Sequence, residues 1–561
     1  MRKNLLAMCA LAALAGNAVA MQAAPTGGNG TQIITGTAGH SMVVPYFTAQ
    51  GDNATLISVT NLDPTNGKVV KVRFRGAANS DDVLDFTLYM SPADMWTASI
   101  SKNAAGVAVL KTTDTSCTQP FNVGRSTDGQ AFLTSRTDSA LASGTVRNAQ
   151  TLEGYVEFIT MANIEPTIGA GGSGAPAAGA TNPLFTATKH VSGTPPCTAA
   201  AFTALQANPA TNAAAIDVGL QLPTAGITGN YVIINTKNTT AWSGAATHFL
   251  ARTAAGVNAT GNLIFWPQLG TTVEAGFRAG TLAAPGLMGI VTADPALLQG
   301  APAGAAATTL TPLWLDLPDL STPIGNAPTA TDQAREISAL LAGSRARNEF
   351  VTNDSLAAET DWLFSMPTRR FATVFNYAQG VMVQNVGNNQ YFNSTATTTV
   401  ATNGAALAGT NNTGLATSGN DTLGRRICVT GLAQLGISTV FDREETTPTA
   451  AAGVVVVSPA DPAAAPGTVS LCGEAALVSF NNPSGASALL GTISRVDMTV
   501  PYQDGWASFG TPAAAAPTVP AHILPLPAAA VNGLPYIGAS FTRLVNGTTN
   551  FGIAYPVRKA Q

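Results

Sequence analysis

Charged side chains are scarce in this sequence. They make up 10% of the 561 residues, against about 25% in an average soluble domain. The formal net charge is −4, so the chain lacks the strongly basic surface typical of nucleic-acid-binding proteins. Alanine, glycine and threonine are abundant instead. Two interpretations remain open: an ordinary secreted β-protein with this amino-acid usage, or a surface that packs against copies of itself with little electrostatic repulsion.

Sequence motifs for catalysis are also missing. The chain has no G-x-S-x-G turn, no H-E-x-x-H pair, and no glycine loop set between a strand and a helix as phosphate or dinucleotide binding requires. Its four histidines, His40, His190, His248 and His522, are isolated in sequence, and we interpret each as a loop or edge residue. The sequence therefore predicts a protein that is not an enzyme, with a secreted hydrolase of non-standard site as an alternative.

Long apolar runs occur only near the N-terminus. Arg2 and Lys3 precede an apolar segment, and small residues then offer cleavage sites after Ala20 or Ala24. This pattern predicts a secretory signal peptide over residues 1–24. No later run approaches the ~18 residues of a spanning helix. We therefore predict an exported protein without a membrane span, at the cell surface or outside the cell.

Cysteine is rare, and its count fits export. Without Cys9 of the signal segment, four cysteines remain: Cys117, Cys197, Cys428 and Cys472. An even number in an oxidising compartment predicts two disulfides, for which three connectivities are possible. We favour the local pairs Cys117–Cys197 and Cys428–Cys472. No CxxC spacing or histidine-rich neighbourhood accompanies these residues, so structural disulfides are favoured over a zinc site.

What the sequence does contain is alternation between apolar and polar residues, most clearly from residue 43 to residue 100. Strands are predicted over 55–61 and 68–75, joined by a turn at 63–67, with further strands after them. The second strand places Val70, Val72 and Phe74 on an inner face and Lys71, Arg73 and Arg75 on a solvent-exposed face. Phe74, Phe86 and Trp96 should be buried together. This pattern predicts an antiparallel meander.

Short strands punctuated by glycine, proline and asparagine recur along the whole chain. They predict a mainly β protein, an antiparallel β-sandwich or jelly-roll-like set of sheets with one or two short helices. We predict an N-terminal β domain over residues 25–164 and a flexible Gly/Ala/Pro-rich insertion over 165–229. A second β-rich domain follows over 230–561, with a helix near 332–343.

A group of aspartates is the weak candidate for metal binding. Asp81, Asp82 and Asp85 offer the oxygen ligands that Ca²⁺ prefers. The alternative for Asp85 is a position opposite Arg73 or Arg75 on the neighbouring strand. No known calcium-loop pattern is present, and no other cofactor is predicted.

Seven sequence segments lie at residues 72–75, 82–86, 89–98, 153–157, 361–362, 367–370 and 533–538. Together they resemble a group of secreted proteins of Gram-negative bacteria that are described only as cell-surface proteins. The bulk composition is similar to that of surface-layer proteins. The resemblance implies a place at the cell surface and transfers no catalytic residue.

Three functional hypotheses follow. The first is a structural or interaction protein of the cell surface that self-associates, for example into a surface layer. The second is an adhesin or binding module for a carbohydrate, such as surface polysaccharide, or for a hydrophobic ligand; exposed aromatic side chains would support it. The third is the hydrolase with a non-standard site.

Overall fold

A computed structural model describes most of the first 265 residues and about two fifths of the rest. The described residues are 31–265 apart from 79, 135–136, 138–143, 175, 207–211, 254–255, 262 and 264. They continue with 337–368 apart from 344, 373–376, 381–384, 415–417, 427–434, 440–443, 457–458, 468–481, 487–489, 495–510 and 534–560. The predicted signal peptide, residues 1–24, lies outside the described residues, as does His522.

Fourteen strands form the first unit. They are β1 (Thr31–Gly36), β2 (Ser41–Thr48), β3 (Asn53–Asn61), β4 (Gly67–Gly76), β5 (Asp82–Met90), β6 (Met95–Lys102), β7 (Ala108–Lys111), β8 (Cys117–Gln119), β9 (Gln130–Ala131), β10 (Glu153–Ile164), β11 (Leu220–Gln221), β12 (Ile227–Asn235), β13 (Thr240–Ala245) and β14 (Thr247–Thr253). One antiparallel sheet has the order β1-β14-β2-β10-β4-β5-β8, with β11 paired to β10. A second has the order β13-β12-β3-β6-β7-β9. The mainly β, sandwich-like fold predicted from the sequence is confirmed.

The meander predicted from the alternation lies at the centre of this unit. Strands β3, β4, β5 and β6 contribute inward-facing side chains to a core between the two sheets. Phe86 and Trp96 are in contact, with ring centroids 5.8 Å apart, and Phe74 belongs to the same core. The turn before β4 is held by Asp63, whose carboxylate accepts hydrogen bonds from the backbone N–H groups of Thr65 and Asn66. The predicted burial of the three aromatic residues is confirmed.

The face of β4 that was predicted to be solvent-exposed is buried. Lys71, Arg73 and Arg75 are all at most 1% exposed. The first sheet is covered on its outer face as well, by one apolar cluster around Leu184 and another around Leu340. Alternation in a sequence separates the two faces of a strand, but it does not reveal whether another layer covers the polar face.

Helices are more numerous than the predicted one or two. They are α1 (Gly144–Gln150), α2 (Pro183–Thr188), α3 (Ala199–Gln206) and α4 (Asn212–Asp217). Residues 337–341 are also helical, which places helix within the predicted 332–343 segment; residues 332–336 lie outside the described part. Asn182 begins α2, because its side-chain oxygen accepts from the backbone N–H of Leu184 at 3.0 Å.

The interval predicted to be a flexible insertion contributes to the core. Leu184 of α2, together with Phe202 and Leu205 of α3, is buried against Tyr89 and Met161 of the first sheet. Within residues 165–229, the glycine-rich segment around Gly171–Gly174 is largely exposed. The predicted boundary at residue 230 falls inside β12, which pairs with β3 along its whole length. The first unit therefore extends to β14.

The remaining strands form the second unit. They are β15 (Ala342–Gly343), β16 (Arg345–Val351), β17 (Glu359–Ser365), β18 (Thr373–Asn376), β19 (Val381–Gln384), β20 (Leu415–Thr417), β21 (Ile427–Gln434), β22 (Val440–Phe441), β23 (Val457–Ser458), β24 (Thr468–Cys472), β25 (Ala475–Phe480), β26 (Arg495–Met498), β27 (Asp504–Gly510), β28 (Leu534–Pro535), β29 (Ile537–Asn546), β30 (Thr549–Pro556) and β31 (Arg558–Ala560). The largest sheets have the orders β23-β26-β25-β17-β29-β30 and β22-β27-β16-β31. An aromatic core that includes Trp362 and Phe509 lies between them.

The two units share one continuous core. Leu363, Leu477 and Phe541 of the second unit belong to the same buried cluster as the meander. The indole N–H of Trp242 donates to the carbonyl oxygen of Thr542 at 2.9 Å, and the amide of Asn53 donates to a second-unit carbonyl at 2.8 Å. The units are therefore packed together through both apolar burial and specific hydrogen bonds.

Truncation of Phe86 tests the central role of the meander. Phe86→Ala should lower the free energy of unfolding by about 3–5 kcal/mol, because it leaves a cavity in a fully buried site. Leu62→Ala, at a residue 54% exposed, is the control and should change it by less than ~0.5 kcal/mol. Denaturant unfolding measures both. An unchanged midpoint for Phe86→Ala would contradict the assigned strand face.

Candidate functional site

The first predicted disulfide is present. Cys117 of β8 and Cys197, which lies just before α3, are bonded with a Cα separation of 5.5 Å. The bond ties the helical interval to the edge of the first sheet. The predicted pairing of these two residues is confirmed.

The second predicted pair is brought together by the backbone. Cys428 of β21 and Cys472 of β24 are direct partners in the antiparallel register. Directly opposed residues have Cα atoms about 4.5–5.5 Å apart, inside the ~4.4–6.8 Å range of disulfides. The bond itself remains a prediction, and the register favours it.

The calcium candidates lie next to cationic side chains. The carboxylate of Asp85 contacts the amino group of Lys71, and Asp82 lies 3.9 Å from Arg75. Asp81 is buried nearby. Across the residues that the structure describes, no group of three or more His, Cys, Asp or Glu side chains is placed to bind a metal ion. We assign no calcium site to these aspartates.

These contacts belong to a layer of buried charge on the outer face of the first sheet. Arg75 donates to Glu157 of β10 at 3.2 Å, and Arg73 lies opposite Asp85 in the strand register. Burial lowers the pKa of Lys71, and the adjacent Asp85 partly offsets this effect. Removing one member of such a layer would leave an opposite charge buried, which is strongly destabilising. We interpret the layer as structural.

Of the three described histidines, His40 and His190 lie in loops, as predicted, whereas His248 lies in an interior strand. His248 lies within β14, between two neighbouring strands, and His40 is fully buried. Burial lowers the pKa of each to about 4, so both are neutral at physiological pH. His190 is partly exposed and makes side-chain contacts of its own.

Among the described residues, the side chains around His190 are the ones that most resemble a hydrolase site. Its Nδ1 lies 2.9 Å from the Ser91 hydroxyl and 3.7 Å from an Asp94 carboxylate oxygen. Its Nε2 lies 3.4 Å from the Thr115 hydroxyl. A serine triad needs the serine and the carboxylate on opposite ring nitrogens, whereas Ser91 and Asp94 share one. The arrangement instead connects the β5–β6 turn to the disulfide-bonded segment.

A buried acid lies near the contact between the two units. Asp361 of β17 accepts hydrogen bonds from the Ser479 hydroxyl and, at 2.8 Å, from the backbone N–H of Leu489. The carbonyl of Leu489 in turn accepts from Asn53 of the first unit. Burial raises the pKa of Asp361 to about 6, although its hydrogen bonds favour the charged form.

Exposed aromatic side chains lie at two places in the second unit. Phe551 and Tyr555 of β30 are each 52% exposed, and we call them, with Ile553 between them, the edge patch. Trp506 of β27 is 38% exposed and stacks on Phe441 of β22. By contrast Trp96, Trp242 and Trp362 are fully buried. Trp266 and Trp314 lie outside the described residues.

The sequence analysis missed the edge patch, although a signal was present. Phe551, Ile553 and Tyr555 alternate after the turn at Gly547, which marks one face of a strand. The alternation alone does not show which face of the strand is buried in the core and which is exposed. Only the position of β30 at the end of its sheet decides this.

Comparisons with family models, with curated proteins and with solved structures found no match to this chain. Among the described helices, none is long and apolar enough to cross a membrane. The functional argument therefore rests on this chain's own residues.

The cysteine pairing predicts a thiol count. The denatured, unreduced mature protein should have no free thiol if Cys428 pairs with Cys472 as predicted, because Cys117 and Cys197 are already bonded to each other. Cys428→Ser should then release one thiol, that of Cys472, and Cys117→Ser should release that of Cys197. The Cys117–Cys197 bond joins residues that are 80 positions apart in the sequence. Its loss should therefore lower the free energy of unfolding by about 4 kcal/mol. Two free thiols in the unmodified chain would contradict the second pair.

Asp361 predicts a pH dependence of stability. Because its pKa rises from 3.8 to about 6 on folding, the folded state holds the proton more tightly. The stabilisation is complete below about pH 4 and is lost as the pH rises to about 6, a change of about 3 kcal/mol. Relative to Asp361→Asn, the unfolding free energy of the unmodified chain should therefore fall across this window. Parallel pH profiles of the two proteins would contradict the prediction.

Proposed function

We propose that this chain is an exported structural and interaction protein of the bacterial cell surface that assembles with copies of itself. The N-terminal pattern over residues 1–24 supports export. The Cys117–Cys197 disulfide also supports it, because such bonds persist in oxidising compartments. The segments that resemble cell-surface proteins agree with this location.

The joint between the two units supports a structural role. Phe541 and Leu363 of the second unit are buried in the same core as Val59 and Tyr231 of the first. A joint of this kind resists relative motion of the units, because separating them would expose buried apolar side chains. A body of fixed shape can pack repeatedly in one arrangement.

The edge patch is the observation that carries self-association. Strand β30 is the last strand of its sheet among the described residues, and it presents Phe551 and Tyr555 to solvent. Natural proteins usually protect exposed sheet edges with charge, proline or cover, because an apolar edge pairs readily with another chain. An aromatic edge strand is therefore a favourable contact surface.

A second copy of this chain is the occupant that fits the edge patch. Its members carry no charge, so two such patches meet without electrostatic repulsion. Around a two-fold axis the same residues supply both sides of the contact. The positive charge of Arg543, on the strand next to β30, does not repel a second copy, because Arg543 is paired with Glu359 at 2.6 Å. The low overall charge of the chain acts in the same direction.

Substitution in the edge patch tests the proposal. The mature chain should associate as its concentration rises, as measured by sedimentation velocity. Phe551→Ser combined with Tyr555→Ser should raise the concentration needed by about tenfold or more, because it removes two exposed aromatic contacts. Both residues are half-exposed, so the melting temperature should change little.

The matched control is Phe121→Ser, which removes an aromatic side chain that is 45% exposed in the first unit. Association should persist in this variant. An unmodified chain that remains monomeric at every concentration, or a Phe551/Tyr555 variant that associates normally, would refute assembly through the edge patch.

A further inference from the structure

The sheet β22-β27-β16-β31 has an outer face whose layout follows from the strand register. Phe441, Trp506 and Glu349 lie side by side on three adjacent strands. The next row along the strands contains Ser508, Arg347 and Arg558. Rows on one face are about 6.8 Å apart and strands about 4.8 Å apart. We call the surface formed by Phe441, Trp506, Glu349, Arg345, Arg347 and Arg558 the tryptophan face.

Most of this face is exposed, although Ser508 in its second row is only 4% exposed, and the opposite face of the sheet is buried. Along β16 the exposed residues Arg345, Arg347 and Glu349 alternate with buried ones. Trp506 is supported from one side by Phe441, with ring centroids 4.4 Å apart and planes at 15°. The stack holds the indole ring against Phe441, on the strand next to Glu349. A rigid aromatic ring that is held in this way loses little entropy when a flat ligand contacts it.

The charge of the tryptophan face is opposite in sign to that of the chain. Glu349 lies 3.8 Å from Arg558, and both side chains are highly exposed. A second acid, Asp504, lies on the same side of β27 as Trp506 and accepts from the Asn353 amide at 2.9 Å. Arg345 and Arg347 have no ion-pair partner among the residues that the structure describes. The chain as a whole has a net charge of −4. The face therefore offers unpaired guanidinium groups beside an aromatic ring.

We propose that the tryptophan face binds an anionic polysaccharide. A sugar ring packs on Trp506, and the carboxylate of the same or the next sugar pairs with Arg347 and Arg558, since guanidinium groups bind carboxylates in a bidentate manner. Glu349 accepts hydrogen bonds from sugar hydroxyls. The inference rests on the proposed surface role, because an exported protein at the cell surface meets such polymers.

The same features argue against the other occupants. A second copy docking face to face would bring arginines against arginines, which is unfavourable. A neutral polysaccharide would use the ring and leave the guanidinium groups without partners. The uncharged edge patch on β30 has the opposite character. The two surfaces therefore select different partners.

Binding of soluble polygalacturonate to the full mature chain tests the inference, with neutral dextran as the comparison polymer. Titration calorimetry should detect binding of polygalacturonate alone, and it should weaken as salt screens the exposed arginines. Trp506→Ala and Arg347→Ser should each weaken binding by about tenfold or more. Trp506→Phe should retain part of the affinity, because it keeps an aromatic ring.

Controls separate this inference from the proposed self-association. Arg125→Ser removes an exposed arginine of the first unit and should bind polygalacturonate normally. The Phe551→Ser, Tyr555→Ser variant should also bind the polymer while failing to associate. No binding, equal binding of dextran, or an unchanged affinity in Trp506→Ala would overturn the polysaccharide site and leave self-association standing. An unmodified chain that binds polygalacturonate but stays monomeric at every concentration would overturn self-association and leave the polysaccharide site standing.

Discussion

The shared core between the two units is the constraint on which the rest of the structure depends. Trp242 is buried in it and donates its indole N–H to the carbonyl of Thr542 across the joint. Beside this contact the backbone of β30 passes so close to β13 that a Cβ at Gly552 would lie 2.1 Å from the carbonyl oxygen of Ala241. Only glycine permits that approach. The joint thereby fixes β30 at the end of its sheet, with the edge patch facing outward.

The fold makes charge even scarcer on the surface than it is in the sequence. Several of the few cations, Lys68, Lys71, Arg73 and Arg75, are buried in the first sheet. The contacts of Lys71 to Asp85 and of Arg75 to Asp82 and Glu157 link three neighbouring strands. Because a slip in register would separate these charges, the layer favours one strand alignment. It also removes charge from the surface, which favours contact between copies of the chain.

The second unit separates two kinds of surface on adjacent sheets. The edge patch is apolar and lies on the terminal strand of one sheet, whereas the tryptophan face carries arginine on the sheet packed against it. Both are built on strands and not on loops: β16 and β27 pack on the aromatic core around Trp362, and Ala554 of β30 packs on the core that the two units share. A protein that assembles laterally and also holds a surface polymer would need this separation of partners.

The sequence by itself determined the central strands of the first unit and their inner faces. Alternation assigned Val72, Phe74 and Phe86 to the core, and the cysteine count predicted the Cys117–Cys197 pair. These features depend on local periodicity and on composition, which a single chain carries. Tertiary structure decided what covers each sheet. It buried Arg73 and Arg75, drew residues 165–229 into the core, carried the first unit beyond residue 230, and left Phe551, Tyr555 and Trp506 exposed. Such outcomes depend on contacts between residues far apart in the chain, and the spacing of residues within one strand does not encode them.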